Sequence, residues 1–540
     1  MNQILLIIAA TAATSGRVLG LMLLSIVTGW FLSYAAVKSQ TFENVYIPLI
    51  EVLESVPVIS FFPVVLSLFV LGIGGPLGVE LAADFLVFTA VVWNIWMGEY
   101  QAFKTIPREM IEVSDNYRLT FFERMRNVYI PFSVPRIAAN LFPSVSDGFF
   151  YITVSEVFSV GVHTYQTFGI GTLLNGYVSA GAYSLVWTAL GILAVFIAAI
   201  VLGLRQFSRY AVAKYTLDTD QPIVRRGRLN VRETLRLSAI ASVNPLTKLA
   251  RYNIFRSQRP VEDDDFDREK RVHNLRYVWA STGFVVLALI VYGSYSEIVR
   301  VSARTWSTLI GETPFLLESL AYDYLRVAVI SLVSTAIAIF LGYYLAQHSR
   351  AEAVGVPLIQ TLSAYPAPTY FPFLFLGVYP VVTYFFGPLT DEAFVLFLGF
   401  VSTFYYVFYS FWMGVKAMPA EYGEVMRNLN LSYFQRLRYV IIPSTLPYLV
   451  SGISSTVNSA WGGLMIGEYW PSIAAGKNLT VSVGLMKVID VATSNGNIAL
   501  AAWASLLFGM VVVAYSLLFT KRLLDLARKK YVAEEGIYAA

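Results

Sequence analysis

Long apolar segments alternate along this chain with short polar ones. A helix needs about 20 predominantly apolar residues to cross a bilayer, and the chain repeatedly comes close to that length. Several of these segments contain Gly or Pro, which membrane helices tolerate when neighbouring helices satisfy the freed backbone groups. The pattern therefore predicts about 11 transmembrane helices, near residues 16–37, 59–75, 84–100, 135–160, 184–205, 277–297, 322–346, 368–388, 392–412, 444–469 and 497–520.

Composition and charge indicate an all-α, polytopic membrane protein. Hydrophobic residues make up 56% of the 540 residues and charged residues 14%, and a soluble fold could not bury that much apolar surface. Lys and Arg crowd residues 205–276 and 521–530, which is typical of cytoplasmic segments under the positive-inside rule. We therefore expect the lipid bilayer as a partner, and no nucleic acid.

The chain offers little for metal binding or for enzyme chemistry. It has no Cys and three scattered His residues, which excludes disulfides, thiolate metal sites and thiol catalysis. The phosphate-binding sequence Gly-x-x-x-x-Gly-Lys-Ser/Thr does not occur, and the nearest fragment, Gly476-Lys477-Asn478, lacks its first Gly and its hydroxyl residue. We expect that this chain is not an enzyme, binds no cofactor and relies on another chain for any ATP hydrolysis.

One polar segment of the chain occurs twice. Residues 104–156 align without a gap with residues 416–468, so that every matched pair lies as far apart as Pro107 and Pro419 do. The matched pairs are Lys104 and Lys416, Pro107 and Pro419, Glu109 and Glu421, Glu112 and Glu424, Asn116 and Asn428, Phe122 and Phe434, Arg124 and Arg436, Arg126 and Arg438, Pro131 and Pro443, Pro135 and Pro447, and Glu156 and Glu468. Such a repeat predicts two equivalent surfaces on one side of the membrane.

Two further blocks extend this repeat to most of the chain. Upstream, the matched pairs keep the spacing of Arg17 and Arg326, and downstream they keep that of Trp187 and Trp503. The upstream block includes Tyr34 and Tyr343, Pro48 and Pro357, Pro57 and Pro366, and Pro63 and Pro372. Three collinear blocks predict two duplicated transmembrane domains, at 1–205 and 298–540.

The segments between these domains set the orientation of the second copy. Residues 206–276 are rich in Arg and are predicted to form a cytoplasmic linker, and residues 277–297 an extra transmembrane helix. Because the extra crossing returns the chain to the outside, the second domain repeats the orientation of the first. The sequence thus predicts parallel repeats in the plasma membrane, with the N-terminus outside and the C-terminus in the cytoplasm.

The duplicated segment carries the local signals of a helical hairpin. Pro107 and Pro419 suit a first helical position, and Glu109 and Glu421 then fall at the third. Residues 120–123, Thr-Phe-Phe-Glu, and their counterparts 432–435, Ser-Tyr-Phe-Gln, match the capping box that starts a second short helix.

We expect that second helix to end before Pro131 and Pro443, since Pro cannot continue a helix without losing a hydrogen bond. The prediction is a helix-turn-helix lying against the cytoplasmic face. An ordinary amphipathic interfacial hairpin is the alternative.

The residues of this hairpin resemble the EAA loop of binding-protein-dependent ABC importer permeases. The resemblance rests on Glu112-Val-Ser with Val128-Tyr-Ile-Pro131, and on Glu424-Val-Met with Val440-Ile-Ile-Pro443. It implies that each hairpin fits a groove on an ATPase subunit. The implied coupling residues are Pro107, Glu109, Glu112, Arg124, Pro131, Pro419, Glu421, Glu424, Arg436 and Pro443.

The two copies depart from the family pattern at one position. The family's Gly, six residues after the motif Glu, is replaced by Arg118 and Asn430. Asn tolerates a left-handed backbone better than Arg does, so we expect the first copy to bend differently and to couple less tightly.

A second stretch of sequence resembles one particular branch of this family. The sequence from Glu54 to Pro63, continuing to Leu71-Gly-Ile-Gly, is similar to the nitrate, sulfonate and taurine branch of these permeases. What the resemblance implies is a fused pair of type I importer permease domains, serving two ABC ATPase subunits that carry ATP and Mg, and an extracytoplasmic substrate-binding protein. The implied function is ATP-driven, alternating-access import of a small anion. The alternatives are an ion-coupled secondary transporter with parallel repeats and a membrane scaffold.

Four polar residues on apolar segments are candidates for the path itself. A carboxylate at the bilayer centre costs about 2.5–3.5 kcal/mol on insertion scales, so Glu156 and Glu468 should face a cavity, a partner or an interface. With Asp147 and Asn458, which precede them on the same segments, they are predicted to line or gate the translocation path. The alternative is that both Glu residues lie in water at the outer interface.

Arg17 and Arg326 lie at the start of apolar segments. They would either attract an anion to the outer mouth or extend to the membrane surface from a helix end. We expect the second.

Overall fold

The computed structural model describes residues 3–55, 58, 65–160, 163–215, 302–474, 476–515 and 518. The described residues up to 215 and from 311 onward belong to one compact unit, and the described residues 302–310 to another. The predicted extra helix at 277–297 and most of the predicted linker at 206–276 lie outside the described residues. Residues 206–215 continue the preceding helix.

The first half is helical except for one β-hairpin. Apolar runs give its long helices, and one of these, Ile130–Ser155, continues through Pro135 and Pro143. Its elements are α1 (Gln3–Lys38), α2 (Gln40–Ser55), a π-helix (Leu66–Ile73), α3 (Gly75–Lys104), α4 (Arg108–Asn116), α5 (Phe121–Arg124), a second π-helix (Met125–Tyr129), α6 (Ile130–Ser155), β1 (Val157–Val160), β2 (His163–Gln166), α7 (Ile170–Ser179) and α8 (Tyr183–Tyr215).

The second half repeats much of this order. Its elements are α9 (Ala303–Gln347), α10 (Ser349–Ala364), α11 (Ala367–Phe386), a 3-10 turn (Gly387–Leu389), α12 (Thr390–Lys416), α13 (Ala420–Asn428), α14 (Tyr433–Arg436), a π-helix (Leu437–Ile441), α15 (Ile442–Ser444), α16 (Leu446–Gly467), β3 (Tyr469–Ala474), β4 (Lys477–Thr480), α17 (Leu485–Ser494) and α18 (Ile498–Tyr515). The hairpin helices α4 and α5 and the π-helix after them recur as α13, α14 and their π-helix at the same spacing as Pro107 and Pro419.

Within the described residues, six helices are long and apolar enough to cross a membrane. They are Gln3–Lys38, Gly75–Lys104, Tyr183–Ala211, Ala303–Gln347, the stretch Ala367–Lys416 and Ile498–Tyr515. The bent pair Tyr433–Ser444 and Leu446–Gly467 makes a seventh if it is one span. The helical membrane class is confirmed, whereas the count of about 11 stays a prediction.

Two short β-hairpins follow α6 and α16, where the sequence predicted apolar helix up to residues 160 and 469. In the first, Val157 pairs with Gln166 and Val160 with His163, antiparallel. In the second, Tyr469 pairs with Thr480, and the register shifts before Ala474. The predicted helix ends were therefore wrong, because a short apolar run has the same hydrophobicity in a buried strand as in a helix.

Each half packs its own core, and the two cores adjoin. Val91, Phe149 and Leu193 are buried in the first core, and Trp461 and Phe508 in the second. Close packing inside the second half depends on glycine.

A Cβ on Gly463 of α16 would lie 2.8 Å from the Cα of Gly399 of α12, so these two helices approach at backbone distance. Between the halves, the Tyr365 hydroxyl donates to the Leu190 carbonyl at 2.8 Å.

Candidate functional site

The two hairpins predicted from the sequence both form, and their second helices begin with complete capping boxes. The Thr120 side chain accepts from the Glu123 backbone N–H while the Glu123 carboxylate accepts from Thr120, and Ser432 and Gln435 repeat the arrangement. The hydrogen bonds from the Thr120 backbone N–H and hydroxyl hold the pKa of Glu123 below its usual range. Local sequence thus fixes the same turn in both copies.

The helix starts and ends differ slightly from the prediction. Pro107 and Pro419 are the N-cap residues, with ψ of 138° and 146°, and the helices begin one residue later. Glu109 and Glu421 therefore occupy the second helical position.

Pro131 and Pro443 do not end the second helices as predicted. A π-helical turn precedes each Pro, which then sits in the first turn of the next segment, where its missing N–H leaves no bond unmade.

The turn inside each hairpin has a left-handed residue, and the expectation that the first copy bends differently was wrong. That the first copy couples less tightly stays a prediction. Arg118 has φ of 48° and Asn430 has φ of 45°. In both, the following N–H bonds back across the helix end: Leu119 to the Ser114 carbonyl at 3.1 Å, and Leu431 to Met426 at 3.2 Å. This bonding pattern closes a helix around one left-handed residue, so Arg118 is forced into the conformation that Asn430 adopts more readily.

Large apolar side chains on both hairpins are solvent-exposed. Phe122 is 75% exposed and Phe434 71%, and the neighbouring pair Tyr117 and Leu429 is exposed as well. The predicted contact carboxylates Glu109, Glu112, Glu421 and Glu424 are also exposed. Each hairpin therefore presents large apolar groups beside acidic ones.

The predicted coupling residues Arg124 and Arg436 lie differently from these carboxylates. Both are half-buried. The Nε of Arg124 donates at 2.8 Å to the carbonyl of Leu119, and that of Arg436 donates at 2.8 Å to the carbonyl of Leu431; each acceptor lies just before the N-cap of the second helix. Arg124 also forms an ion pair with Asp115. These two side chains therefore stabilise the turn of their own hairpin.

An ion pair connects the base of each hairpin to an earlier helix of the same half. Lys104 contacts Glu43 at 2.6 Å, and Lys416 contacts Glu352 at 3.0 Å. The Lys104 ammonium and the Tyr100 hydroxyl hold the pKa of Glu43 below its usual range. Trp412 takes the place of Tyr100 in the second copy and donates to Glu352 at 3.1 Å.

At the other end of the long helices, each half buries a charged cluster. In the first, Arg17 contacts Glu80 at 2.5 Å and Glu156 at 3.5 Å. Glu156 is fully buried, and it also accepts from the Thr14 hydroxyl at 2.6 Å and the Gly171 N–H at 2.6 Å.

The second cluster repeats the first with one more charge. Arg326 contacts Asp323 at 2.9 Å, Glu392 at 2.6 Å and Glu468 at 3.1 Å. Asp323 and Glu468 are fully buried. The expectation that Arg17 and Arg326 extend to the membrane surface was wrong, because buried carboxylates hold both guanidinium groups.

The remaining candidates for the path lie near the contact between the halves. Asp147 on α6 accepts a hydrogen bond from the Tyr406 hydroxyl on α12, which joins the first half to the second. Asn458 lies half-buried on α16. The structure thus brings Asp147 to the interface and keeps Glu156 and Glu468 apart, each in its own cluster.

A cavity of about 560 Å³ lies between the halves. Residues of α6 and α7 line one side, and residues of α11, α16, β3 and α17 line the other. Its polar groups include Tyr151, Asn175, Trp470 and Asp490. Asp490 was not among the predicted site residues, although a lone acid within the apolar run Val488-Ile489-Asp490-Val491 is itself a functional signal.

Metal binding finds no support in the described part of the chain. It contains no group of three or more His, Cys, Asp or Glu side chains arranged to hold a metal ion.

Comparison with known proteins places the second half among transport proteins. Residues 334–529 match the model of the family described as binding-protein-dependent transport system inner membrane component. The matched segment contains the second hairpin and the buried Glu468.

Three curated relatives carry related names. A protein of Bacillus subtilis named as an aliphatic sulfonates transport permease is 27% identical over 143 residues, which is 26% of this chain and 48% of the relative. Nitrate import permease proteins of Synechococcus elongatus and Leptolyngbya laminosa are 27% and 23% identical, covering 32% and 35% of this chain and 60% and 71% of the relatives. The chain thus spans about half to three fifths of the length of the first two relatives. No solved structure matches it.

These matches and the helical spans together define a class. The chain is a multi-pass membrane protein that matches a binding-protein-dependent transport family over residues 334–529 and is similar to sulfonate and nitrate transport permeases.

Proposed function

We propose that this chain is the permease of an ABC importer and forms the translocation path for a small solute of the nitrate, sulfonate or taurine kind. The observation that carries the proposal is the pair of matched hairpins. Equivalent apolar and acidic residues are exposed at equivalent positions, with the same capping and the same left-handed turn. Two such surfaces suit two copies of one ATPase subunit.

The mechanism follows from how the hairpins are attached. The ion pairs of Lys104 with Glu43 and of Lys416 with Glu352 connect each hairpin base to a helix of its own half. Arg124 and Arg436 stiffen the hairpins from inside. ATP-driven closure of the ATPase pair would therefore move each hairpin as a rigid unit and tilt its half, which opens the path alternately to the two sides.

The proposed assembly includes partners on both sides. ATP and Mg lie on two ATPase subunits at the hairpin side, and a substrate-binding protein delivers cargo at the opposite side, where the charged clusters lie. The chain would comprise two duplicated domains with about 11 helices, the N-terminus outside and the C-terminus inside. The paired contacts of Arg17 and Arg326 support the duplication, since equivalent residues make them in each half.

The test replaces the exposed aromatic residue of each hairpin. Phe122→Ser, Phe434→Ser and the double variant are co-expressed with an ABC ATPase subunit that co-purifies with the unmodified chain, and association is measured by co-purification. Because apolar burial drives most protein association, we expect each single variant to weaken association and the double variant to abolish it. Glu112→Lys combined with Glu424→Lys should do the same and leave membrane insertion intact.

Phe385→Ser is the matched control. Phe385 is 73% exposed but lies at the end of α11, away from the hairpins. Undiminished ATPase association of the Phe122/Phe434 double variant would refute the coupling role. Uptake that continues with a hydrolysis-dead ATPase would point instead to an ion-coupled transporter.

A further inference from the structure

The described lining of the cavity between the halves contains an acidic side chain and no basic one. Among its described lining residues, Asp490 carries the one carboxylate, and none is Lys, Arg or His. The volume of about 560 Å³ lies within the range of small-molecule sites. Burial raises the pKa of the Asp490 carboxyl well above its usual range, and a cationic group bound beside it would favour its charged form.

The Asp490 carboxylate is available to a ligand. Within the described part of the chain it has no hydrogen bond and no ion pair. The nearest basic residue on its helix, Lys487, donates its Nζ to the Val481 carbonyl at 2.7 Å and to the Ser482 carbonyl at 3.3 Å. Glu156 and Glu468 differ in this respect, since each is held by an Arg and a backbone N–H.

Several hydroxyl groups of the lining present acceptors to the cavity. Ser155, Thr369 and Thr493 each donate at 2.8 Å to a carbonyl of their own helix. Their remaining lone pairs accept hydrogen bonds, which suits a ligand that donates N–H groups. A free anion would need donors at these positions.

Within the cavity lining, the two halves differ at the position that Asp490 occupies in the second half. Helices α7 and α17 each have ten residues, and each begins after a Gly N-cap. Asn175 is the sixth residue of α7 and Asp490 the sixth of α17, and both line the cavity. The second half therefore supplies a carboxylate where the first supplies its neutral amide.

We infer that the cavity is a cargo site for a small molecule with a protonated amino group, which pairs with the Asp490 carboxylate. The inference rests on the proposed function, because it takes the cavity as part of the translocation path. Tyr151, Asn175 and Trp470 offer donors for an anionic group on the same molecule. A zwitterion with an ammonium group then fits the site, whereas nitrate does not.

The experiment measures binding to the purified full chain in nanodiscs together with its ATPase and without a binding protein. The probes are 2-aminoethanesulfonate and 2-hydroxyethanesulfonate, which differ in the ammonium group, and the same pair with a propane chain. We expect the amine of each pair to bind at least tenfold tighter. Asp490→Asn should remove that preference, and Asp490→Glu should keep part of it.

A charge swap gives the matched control. Asn175→Asp combined with Asp490→Asn places the carboxylate on the opposite side of the same cavity, so it should restore the amine preference that Asp490→Asn loses. Glu318→Gln, which removes an exposed carboxylate of α9, should change nothing. Equal binding of both probes by the unmodified chain, an unchanged preference in Asp490→Asn, or no saturable binding of either amine would overturn the inference.

The failure of this inference is separable from that of the proposed function. If the amine preference is missing while the ATPase still co-purifies through Phe122 and Phe434, the cargo assignment is wrong and the permease assignment stands. If the ATPase does not associate through the hairpins, the permease assignment fails whatever the probes do.

Discussion

Replacing Arg326 by Met should destabilise the protein far more than the equivalent change at Arg17. The Arg326 side chain is 7% exposed and faces three carboxylates, of which Asp323 and Glu468 are fully buried. The Arg17 side chain is 18% exposed and faces two, of which Glu80 is 38% exposed. The same substitution therefore leaves two buried carboxyl groups without their cationic partner in the second half and one in the first.

The sizes of the two effects follow from this burial. Removing one partner of a buried ion pair costs about 3–5 kcal/mol, since the other charge remains uncompensated, and we expect at least this loss for Arg326→Met. For Arg17→Met, water reaches Glu80, and Glu156 keeps its bonds from Thr14 and Gly171. We expect about 1–2 kcal/mol there, between the values for exposed and buried pairs.

The assay is thermal unfolding of each variant in nanodiscs of one lipid composition. A rescue variant tests the cause: Asp323→Thr added to Arg326→Met reproduces Thr14 of the first half and removes one buried carboxyl group. Asp323 accepts from the Leu485 N–H at 2.9 Å, as Thr14 accepts from Ile170 at 3.0 Å, so the helix start keeps an acceptor. An equal or larger loss for Arg17→Met, or no recovery in the rescue variant, would refute the reasoning.

Two further substitutions should stabilise the protein. Glu99 is fully buried, and neither of its carboxyl oxygens has a hydrogen-bond partner among the described residues. Glu99→Leu should therefore increase the free energy of unfolding by about 1–3 kcal/mol, measured as a higher unfolding temperature. A lower unfolding temperature would contradict this explanation. Arg118→Gly removes a side chain from a left-handed position and should stabilise the first hairpin by about 1 kcal/mol, seen as slower proteolysis at that turn. Asn430→Gly is its control and should change less, because Asn tolerates φ of 45° better than Arg tolerates 48°.

Local rules explain why the hairpins were predicted well. A capping box joins residues three apart, and the position of the missing Gly marked Arg118 and Asn430 as the place of the turn, although a different bend was expected at Arg118. The inference from residue type to backbone conformation was wrong at Arg118. The backbone N–H groups of Tyr117, Arg118 and Leu119 all bond back to the first helix, so they hold Arg118 in the same geometry as Asn430 at some cost in strain.

Long-range contacts explain what the sequence analysis missed. Arg17 meets Glu80 and Glu156 from 63 and 139 residues away, and no pattern within one segment predicts such a pairing. A signal did exist, because Glu80 and Glu392 keep the spacing of Pro107 and Pro419, and Thr14 and Asp323 that of Arg17 and Arg326. Polar residues that match between copies inside apolar segments are candidates for one shared cluster.

The differences between the copies also suggest how the two proposed tasks are divided. The hairpins share their caps, their turn and the exposure of Phe122 and Phe434, so equivalent ATPase subunits would push on both halves alike. The cavity differs at Asn175 and Asp490, where a single carboxylate makes its two sides unequal. Equal hairpins with unequal cavity walls mean that Phe122→Ser and Phe434→Ser should reduce ATPase association to the same degree, whereas Asn175→Asp and Asp490→Asn should change amine binding in opposite directions.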